Sequence, residues 1–280
     1  MDAPTEMLQF PGRLGLGTWM MGTSPRARET ELAAVARALE IGYRLFDTAE
    51  LYAEGGAERI LGHALSAFGS ARRSELCIVS KVLPQNASRH GTVSACEASI
   101  ERIGCEYLDL YLLHWKGSQR FSDTLRAFEE LLRRGLIRHY GVSNFGVEDL
   151  SQWLEEEKAL GLAGRTQCNQ LHYSLDTRGI EAAVIPWQRK HRIQTMAYSP
   201  LGRGALTRHA ALLQLARERG ATPAQIALAW CLRLPDVVAI PKSAHAARID
   251  ENWQAATWQL RPEELAQLDR AFPAPRVLKR

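Results

Sequence analysis

Asp47, Lys81 and His114 are ionisable side chains that each close a short apolar run, at places where packing alone demands no charge. Five further apolar runs end as abruptly, at Gly17-Thr18-Trp19, Ser143-Asn144, Gln170, Tyr198-Ser199 and Lys242-Ser243. Singly, each has an ordinary explanation: Asp47 as a helix cap, Lys81 as a solvated strand end, His114 as a hydrogen-bonded core histidine. Together they offer a carboxylate, an ammonium, an imidazole, amides and hydroxyls, the groups with which an enzyme moves protons and orients a polar ligand. Signatures of other chemistries are missing: there is no Walker lysine loop, no His-Glu-x-x-His and no Gly-x-Ser-x-Gly elbow. Gly12, Gly15 and Gly17 are spaced G-x-x-G-x-G, which is not the G-x-G-x-x-G of a dinucleotide fingerprint.

The elements that carry these residues follow from hydrophobic period. Apolar runs at 14–18, 44–47, 76–81, 107–114, 138–143, 166–170, 193–198 and 237–241 alternate with longer amphipathic stretches. Most begin roughly 30 residues apart, the length of one strand, one helix and two short loops. An even series of eight predicts a closed (β/α)8 TIM barrel, in which the carboxyl ends of all strands meet on one face. Leu32, Val35, Ala36 and Leu39 predict a helix stripe stopped by Gly42, and Val93, Cys96, Ile100 and Ile103 predict another. Thr222, Pro223 and Gln225 predict a capping box. A small hairpin turning at Pro11-Gly12 is expected to close the barrel bottom, and Pro262 to Phe272 to form an extra C-terminal helix. No linker divides the chain, so residues 1–280 read as a single domain.

The segments FDTAELYAEGGAE (46–58), VSKV (79–82), LDLYLLHW (108–115), GVSNF (141–145), NQ (169–170), YSPLG (198–202) and IPKS (240–243) resemble, in order, the signatures of the aldo-keto reductases. TAELYAEGGAE and LLHWKGS are most similar to a bacterial branch that reduces methylglyoxal. The resemblance implies an NADPH-dependent aldehyde or ketone reductase with a catalytic tetrad of Asp47, Tyr52, Lys81 and His114. Tyr52 would donate the proton, Lys81 would draw the phenol pKa down toward the working range, Asp47 would hold Lys81, and His114 would polarise the carbonyl. It also implies a cofactor site of Gly17, Thr18, Asp47, Ser143, Asn144, Gln170, Tyr198, Ser199, Pro200, Leu201, Lys242, Ser243, Arg248, Glu251 and Asn252, with Trp19 and Trp115 at the substrate. Two positions depart from the family pattern: Leu83 stands where many members carry Trp, and His245 where Asn is frequent. No metal is expected.

Composition sets the outer limits. The 280 residues carry 46% hydrophobic and 24% charged residues and a formal charge of +4, with no dense basic run beside aromatics, which excludes disorder and a nucleic-acid groove. The N-terminus shows no signal-peptide pattern, and no apolar run would cross a bilayer, so a cytoplasmic protein without membrane or nucleic-acid partners is expected. Five scattered cysteines without a Cys-x-x-Cys pair read as reduced core residues. Asp109 reads as a buried structural partner, and His172 as a residue near the cofactor face. Short segments after His114 and Tyr198 leave little material for a lid and imply small substrates. The competing reading is a non-catalytic, cofactor-binding regulatory barrel. An isomerase or aldolase barrel would require metal ligands or a Schiff-base lysine with phosphate loops, and leaves Tyr52 unexplained.

Overall fold

The computed structural model describes residues 7–275. Its strands are β1 Leu16–Gly17, β2 Leu45–Asp47, β3 Cys77–Val82, β4 Leu108–Leu113, β5 Ile137–Ser143, β6 Thr166–His172, β7 Gln194–Tyr198 and β8 Val237–Ile240. They form one parallel sheet in sequence order. The helices are α1 Arg28–Ile41, α2 Gly56–Phe68, α3 Arg89–Ile103, α4 Phe121–Arg133, α5 Val147–Ala159, α6 Val184–Lys190, α7 Ala210–Arg219, α8 Pro223–Cys231, α9 Ala246–Gln254 and α10 Pro262–Ala271.

Closure falls to the shortest strand. Leu14 bridges to Ala239 and Gly17 to Lys242, both parallel, so β1 joins β8 and the sheet becomes a barrel. The glycines set aside as a weak fingerprint explain how this fits. A Cβ on Gly17 would lie 2.8 Å from the Ile240 carbonyl oxygen, and one on Gly15 would lie 2.9 Å from that of Leu45. They are required by close backbone approach.

Two apolar layers form. Leu45, Cys77, Val79, Leu110, Leu112, Cys168, Met196, Val238 and Ile240 fill the barrel interior, and the other faces of the strands pack on the helices. The stripe of α1 is rotated from the expected one: Ala34, Val35, Ala38 and Leu39 are buried and Ala36 is exposed. Gly42 ends that helix at φ 115°, and the Thr222 capping box is formed. The extra C-terminal helix is α10.

Of the hairpin expected at the N-terminus, residues 1–6 lie outside the described residues, and residues 7–13, which include its turn, form no strand but a plug. Leu8 is instead held by its backbone, donating to Gln167 Oε1 (3.1 Å) and accepting from Gln194 Nε2 (2.6 Å). It is buried against the barrel interior, with Phe10 packed beside it. An isolated two-stranded hairpin is marginal by itself, whereas an apolar side chain in the barrel floor removes its surface from water. Among the described residues, no helix is long and apolar enough to cross a membrane.

Candidate active site

Alternation along the strands delivers the polar residues to one place. The inward positions run Leu45-Asp47 on β2, Cys77-Val79-Lys81 on β3, Leu110-Leu112-His114 from β4, Cys168-Gln170 on β6, Met196-Tyr198 on β7 and Val238-Ile240-Lys242 from β8. With a side-chain period of two, each apolar series ends on a polar group at the carboxyl end. A cavity of about 900 Å³ opens there, lined by Asp47, Tyr52, His114, Gln170, Tyr198 and Lys242 among others.

Lys81 is fully buried behind this lining and is not itself part of it. Its Nζ is 2.8 Å from Asp47 Oδ1 and donates to Asp47 Oδ2 (2.9 Å), the Thr48 carbonyl (2.7 Å) and Tyr52 Oη (3.2 Å). An ammonium has three N–H bonds, and these partners use them all. The Tyr52 oxygen is therefore an acceptor from Lys81, which leaves its own O–H free for the cavity.

Tyr52 is held by the turn after β2. Ala53 (φ 51°), Glu54 (φ 51°) and Gly55 (φ 77°) are successive left-handed residues, two of them non-glycine. Such a turn costs on the order of 1 kcal/mol per non-glycine residue and must be held from outside. Glu58 on α2 does this: it accepts from Ser80, the neighbour of Lys81, at 2.7 Å and from Arg102 at 2.5 Å. The clamp joins the turn to the strand that carries the lysine.

The electrostatics differ from expectation at Tyr52. Burial raises the phenol pKa, and the downward pull of Lys81 does not offset it. The expected lowering assumed that the ammonium would dominate; in this enclosed place desolvation of the phenolate is larger. Tyr52 therefore keeps its proton throughout the neutral range. Burial lowers Lys81, but Asp47 and Tyr52 together outweigh it and the ammonium is raised overall. Burial pushes the Asp47 carboxyl up, against Lys81 and a hydrogen bond from Gln170. With its Lys81 and Gln170 donors in place, the pair is an ion pair with the proton on nitrogen.

His114 is pushed down to about 3, first by burial and then by the Lys81 charge, so its imidazole is neutral. Its Nδ1 is buried without a hydrogen-bond partner. An orphaned lone pair is less costly than an orphaned N–H, which assigns the proton to Nε2, the edge left for the cavity. The ring stands 5.9 Å from Tyr52 and 4.6 Å from Trp115, centroid to centroid.

The other expected residues line the same cleft, from Gly17 through Ser143, Asn144, Gln170, Tyr198, Ser199, Pro200 and Leu201 to Lys242, Ser243, Arg248, Glu251 and Asn252, with Trp19 and Trp115 at the mouth. Thr18 is the exception. It is buried, with both its N–H (2.9 Å) and its hydroxyl (3.0 Å) donated to the Asp47 carbonyl. Following Gly17 in an extended strand, it faces away from the cleft and has no donor to spare.

Asn144, at φ 62°, gives its amide hydrogens to the His114 carbonyl (3.0 Å) and Ser143 Oγ (3.1 Å), while Tyr198 Oη donates to its Oδ1 (2.9 Å). His172 packs on the Tyr198 ring at 5.2 Å and is not part of the cleft lining. Leu83 does not line the cleft either; its N–H donates to Glu50 Oε1 at 2.7 Å. His245 is the N-cap residue of α9, with an exposed ring. Asp109 pairs with Arg73 at 2.7 Å and accepts from the Ile78 N–H at 2.8 Å, as a structural partner should.

Several lining residues were not anticipated. Met20 and Leu51 sit beside expected residues and, with Trp19 and Trp115, form an exposed apolar rim. Arg203 lies 5.1 Å from the centre of the Trp19 ring, and Arg208 joins it along the cleft. The only sequence signal for Arg203 is the glycine on either side of it.

Comparison with known proteins agrees with this geometry. The sequence model of the aldo/keto reductase family matches residues 13–272. Methylglyoxal reductase YeaE of Escherichia coli is 41% identical, over 97% of this chain and 96% of that protein. Glyoxal reductase of Bacillus subtilis is 35% identical, over 91% and 87%. Among solved structures, an aldo/keto reductase from Klebsiella pneumoniae in complex with NADP and acetate superposes with a TM-score of 0.86, at 40% identity, covering 94% of this chain and 92% of that one. With an eight-stranded parallel barrel, a family model over residues 13–272 and relatives over nearly its full length, the chain belongs to the aldo/keto reductase family.

Proposed function

We propose that this cleft reduces small aldehydes and dicarbonyls to alcohols with NADPH, Asp47, Tyr52, Lys81 and His114 being the groups that act on the carbonyl. The observation that carries the reading is the Lys81 cluster, in which every ammonium hydrogen is spent on Asp47, Thr48 and Tyr52. A lysine so saturated gives nothing to a ligand itself; it serves the phenol.

The cleft suits a dinucleotide phosphate. At one end the Tyr198 ring offers a face for stacking and Ser143, Asn144 and Gln170 offer amide and hydroxyl groups; at the other stand Lys242 and Arg248, cations fit for an anion. Bound NADPH supplies the hydride. The neutral His114 donates its Nε2 hydrogen bond to the carbonyl oxygen, which fixes the carbonyl and draws electron density from its carbon. As the carbon–hydrogen bond forms, the C=O π pair moves to oxygen and takes the Tyr52 proton. The phenolate left behind is stabilised by the Lys81 ammonium and regains a proton from water. Burial keeps Tyr52 protonated at neutral pH, the state from which it can donate to a carbonyl oxygen.

The rim of Trp19, Met20, Leu51 and Trp115 shields a small carbonyl but makes few directed contacts. Discrimination then rests on carbonyl reactivity, and kcat/KM should follow electrophilicity more than chain length. The relatives' action on methylglyoxal and glyoxal supports this substrate class. The test is kcat/KM with NADPH across methylglyoxal, aliphatic and aromatic aldehydes, an aldose and a steroid ketone; a marked preference for the aldose or steroid overturns the substrate class. A regulatory barrel would have no use for a complete proton-donating cluster, and catalytic inactivity despite NADPH binding is the result that would favour it. The whole chain acts as one domain in this reading, and its free cysteines suit the reducing cytoplasm.

A further inference from the structure

Gln170 reaches across the barrel. It sits on β6, while Asp47 is on β2, four places away in a sheet of eight strands and hence on the opposite wall. Its Nε2 donates to Asp47 Oδ1 at 2.7 Å, with Met196 Sδ 2.9 Å from the same nitrogen. Its backbone is fixed as well, because its carbonyl accepts from Ser143 Oγ and from the Asn144 N–H, each at 2.9 Å. The side chain is buried and its donor end is committed, which leaves Oε1 as the atom free for a ligand.

We propose that Gln170 is a positioning residue for proton transfer: across the barrel it holds the Asp47 carboxylate, and through it the Lys81 ammonium, in line with Tyr52. This is separate from contact with a nicotinamide carboxamide, and it rests on the tetrad reading above. Asp47 Oδ1 receives both Lys81 and Gln170, and Oδ2 receives Lys81. The remaining titratable groups facing Asp47 are Tyr52 from the turn after β2, Cys77 from β3 and Cys168 from β6, and none of these donates to it in the structure. Without the amide, the carboxylate has a single donor residue, is free to rotate, and lies in surroundings that favour its protonation. A neutral acid orients Lys81 poorly, and the Lys81 to Tyr52 hydrogen bond is the longest in the cluster.

The decisive variant is Gln170→Glu. It keeps an acceptor for the carboxamide but loses the donor to Asp47 while ionised, and regains one when the introduced carboxyl is protonated. At pH 8, kcat with methylglyoxal and saturating NADPH should fall about ten- to a hundredfold, the worth of a hydrogen bond to a charged group. It should return to within about threefold of wild type by pH 5.5, because the neighbouring Asp47 raises the pKa of the new carboxyl. Gln170→Met, with no donor at any pH, should stay low throughout. A wild-type-to-Q170E ratio near one at pH 8, or equal at the two pH values, overturns the proposal.

If Q170E fails to fold by circular dichroism, Gln170→Met is assayed with the reduced 3-acetylpyridine analogue of NADPH, whose methyl group removes the carboxamide N–H from the comparison. A tenfold or greater loss of kcat relative to wild type with that analogue supports the brace, and equal rates refute it. Tyr52→Phe separates the two readings: retained turnover in Y52F sinks the tetrad, whereas an inactive Y52F beside an unaffected Q170E sinks this inference alone.

Discussion

Replacing Lys81 with methionine tests the centre of the site through stability as well as rate. The substitution keeps most of the volume of a fully buried side chain and removes one charge, leaving Asp47 in the barrel interior without its cation. Breaking a buried ion pair from one side costs about 3–5 kcal/mol, because the remaining charge is uncompensated. Here that charge has a way out, since burial already pushes Asp47 upward and only the Gln170 hydrogen bond still opposes it. In K81M the folded carboxyl is therefore protonated well above its unfolded range. The native state then binds the extra proton, so unfolding free energy falls as pH rises, by about 1.4 kcal/mol per pH unit between the unfolded and folded pKa values.

The assay is urea unfolding at pH 4.5, 6 and 7.5, for wild type, K81M, Asp47→Asn and the double variant. K81M should lose stability relative to wild type as pH increases, and the double variant, with neither charge, should be more stable than either single one at pH 7.5. A K81M protein within about 1 kcal/mol of wild type at pH 7.5, or a pH-independent difference, would refute the ion-pair account of the barrel mouth.

Tyr52→Phe should reduce kcat by about 10²- to 10⁴-fold, while NADPH affinity from fluorescence quenching stays within about threefold, because in the proposed reading the lost hydroxyl would face the carbonyl. For the wild type, the raised phenol pKa gives the pH profile a sign: the protonated form is the donor, so carbonyl reduction should hold level through neutral pH and decline only in strongly alkaline solution, as pH rises through that pKa. A decline centred near pH 7 would show that the ammonium prevails over burial after all. Arg248→Ala should weaken NADPH by about ten- to a hundredfold with little effect on NADH, as measured by titration, since in the proposed reading it would remove a charge-assisted contact to the additional phosphate.

The barrel was readable because eight short apolar runs alternate with amphipathic stretches, and six of the strands write their inward face as a two-residue alternation ending in a polar group. Asp47, Lys81 and His114 came to notice because each closes an apolar run, before any resemblance was invoked. The same alternation, applied one residue further, would have turned Thr18 away from the cleft, since Gly17 already faces it. Tyr52 lies beyond a strand end in a left-handed turn, where no period operates, and only the family motif pointed to it. Its acid strength was misread because a sequence displays the neighbouring charge of Lys81 but not the depth at which the phenol sits. Met20, Leu51 and Arg203 also belong to turns after strands. The Gln170 to Asp47 hydrogen bond depends on closure of the barrel, which brings together residues 123 positions apart.

The turn behind Tyr52 has a consequence for heat. Two non-glycine residues in left-handed conformations are held there by the Glu58, Ser80 and Arg102 clamp, with the Arg102 side chain packed against Gly55. The barrel closes on many strand pairings and a continuous apolar core; the turn depends on a few polar contacts. Warming should loosen the second before the first. The turn then relaxes and carries the phenol away from Lys81 while the strands remain paired. Activity would disappear below the melting temperature, and would return on cooling, because what has come apart is a local spring and its catch inside a molecule that is still folded.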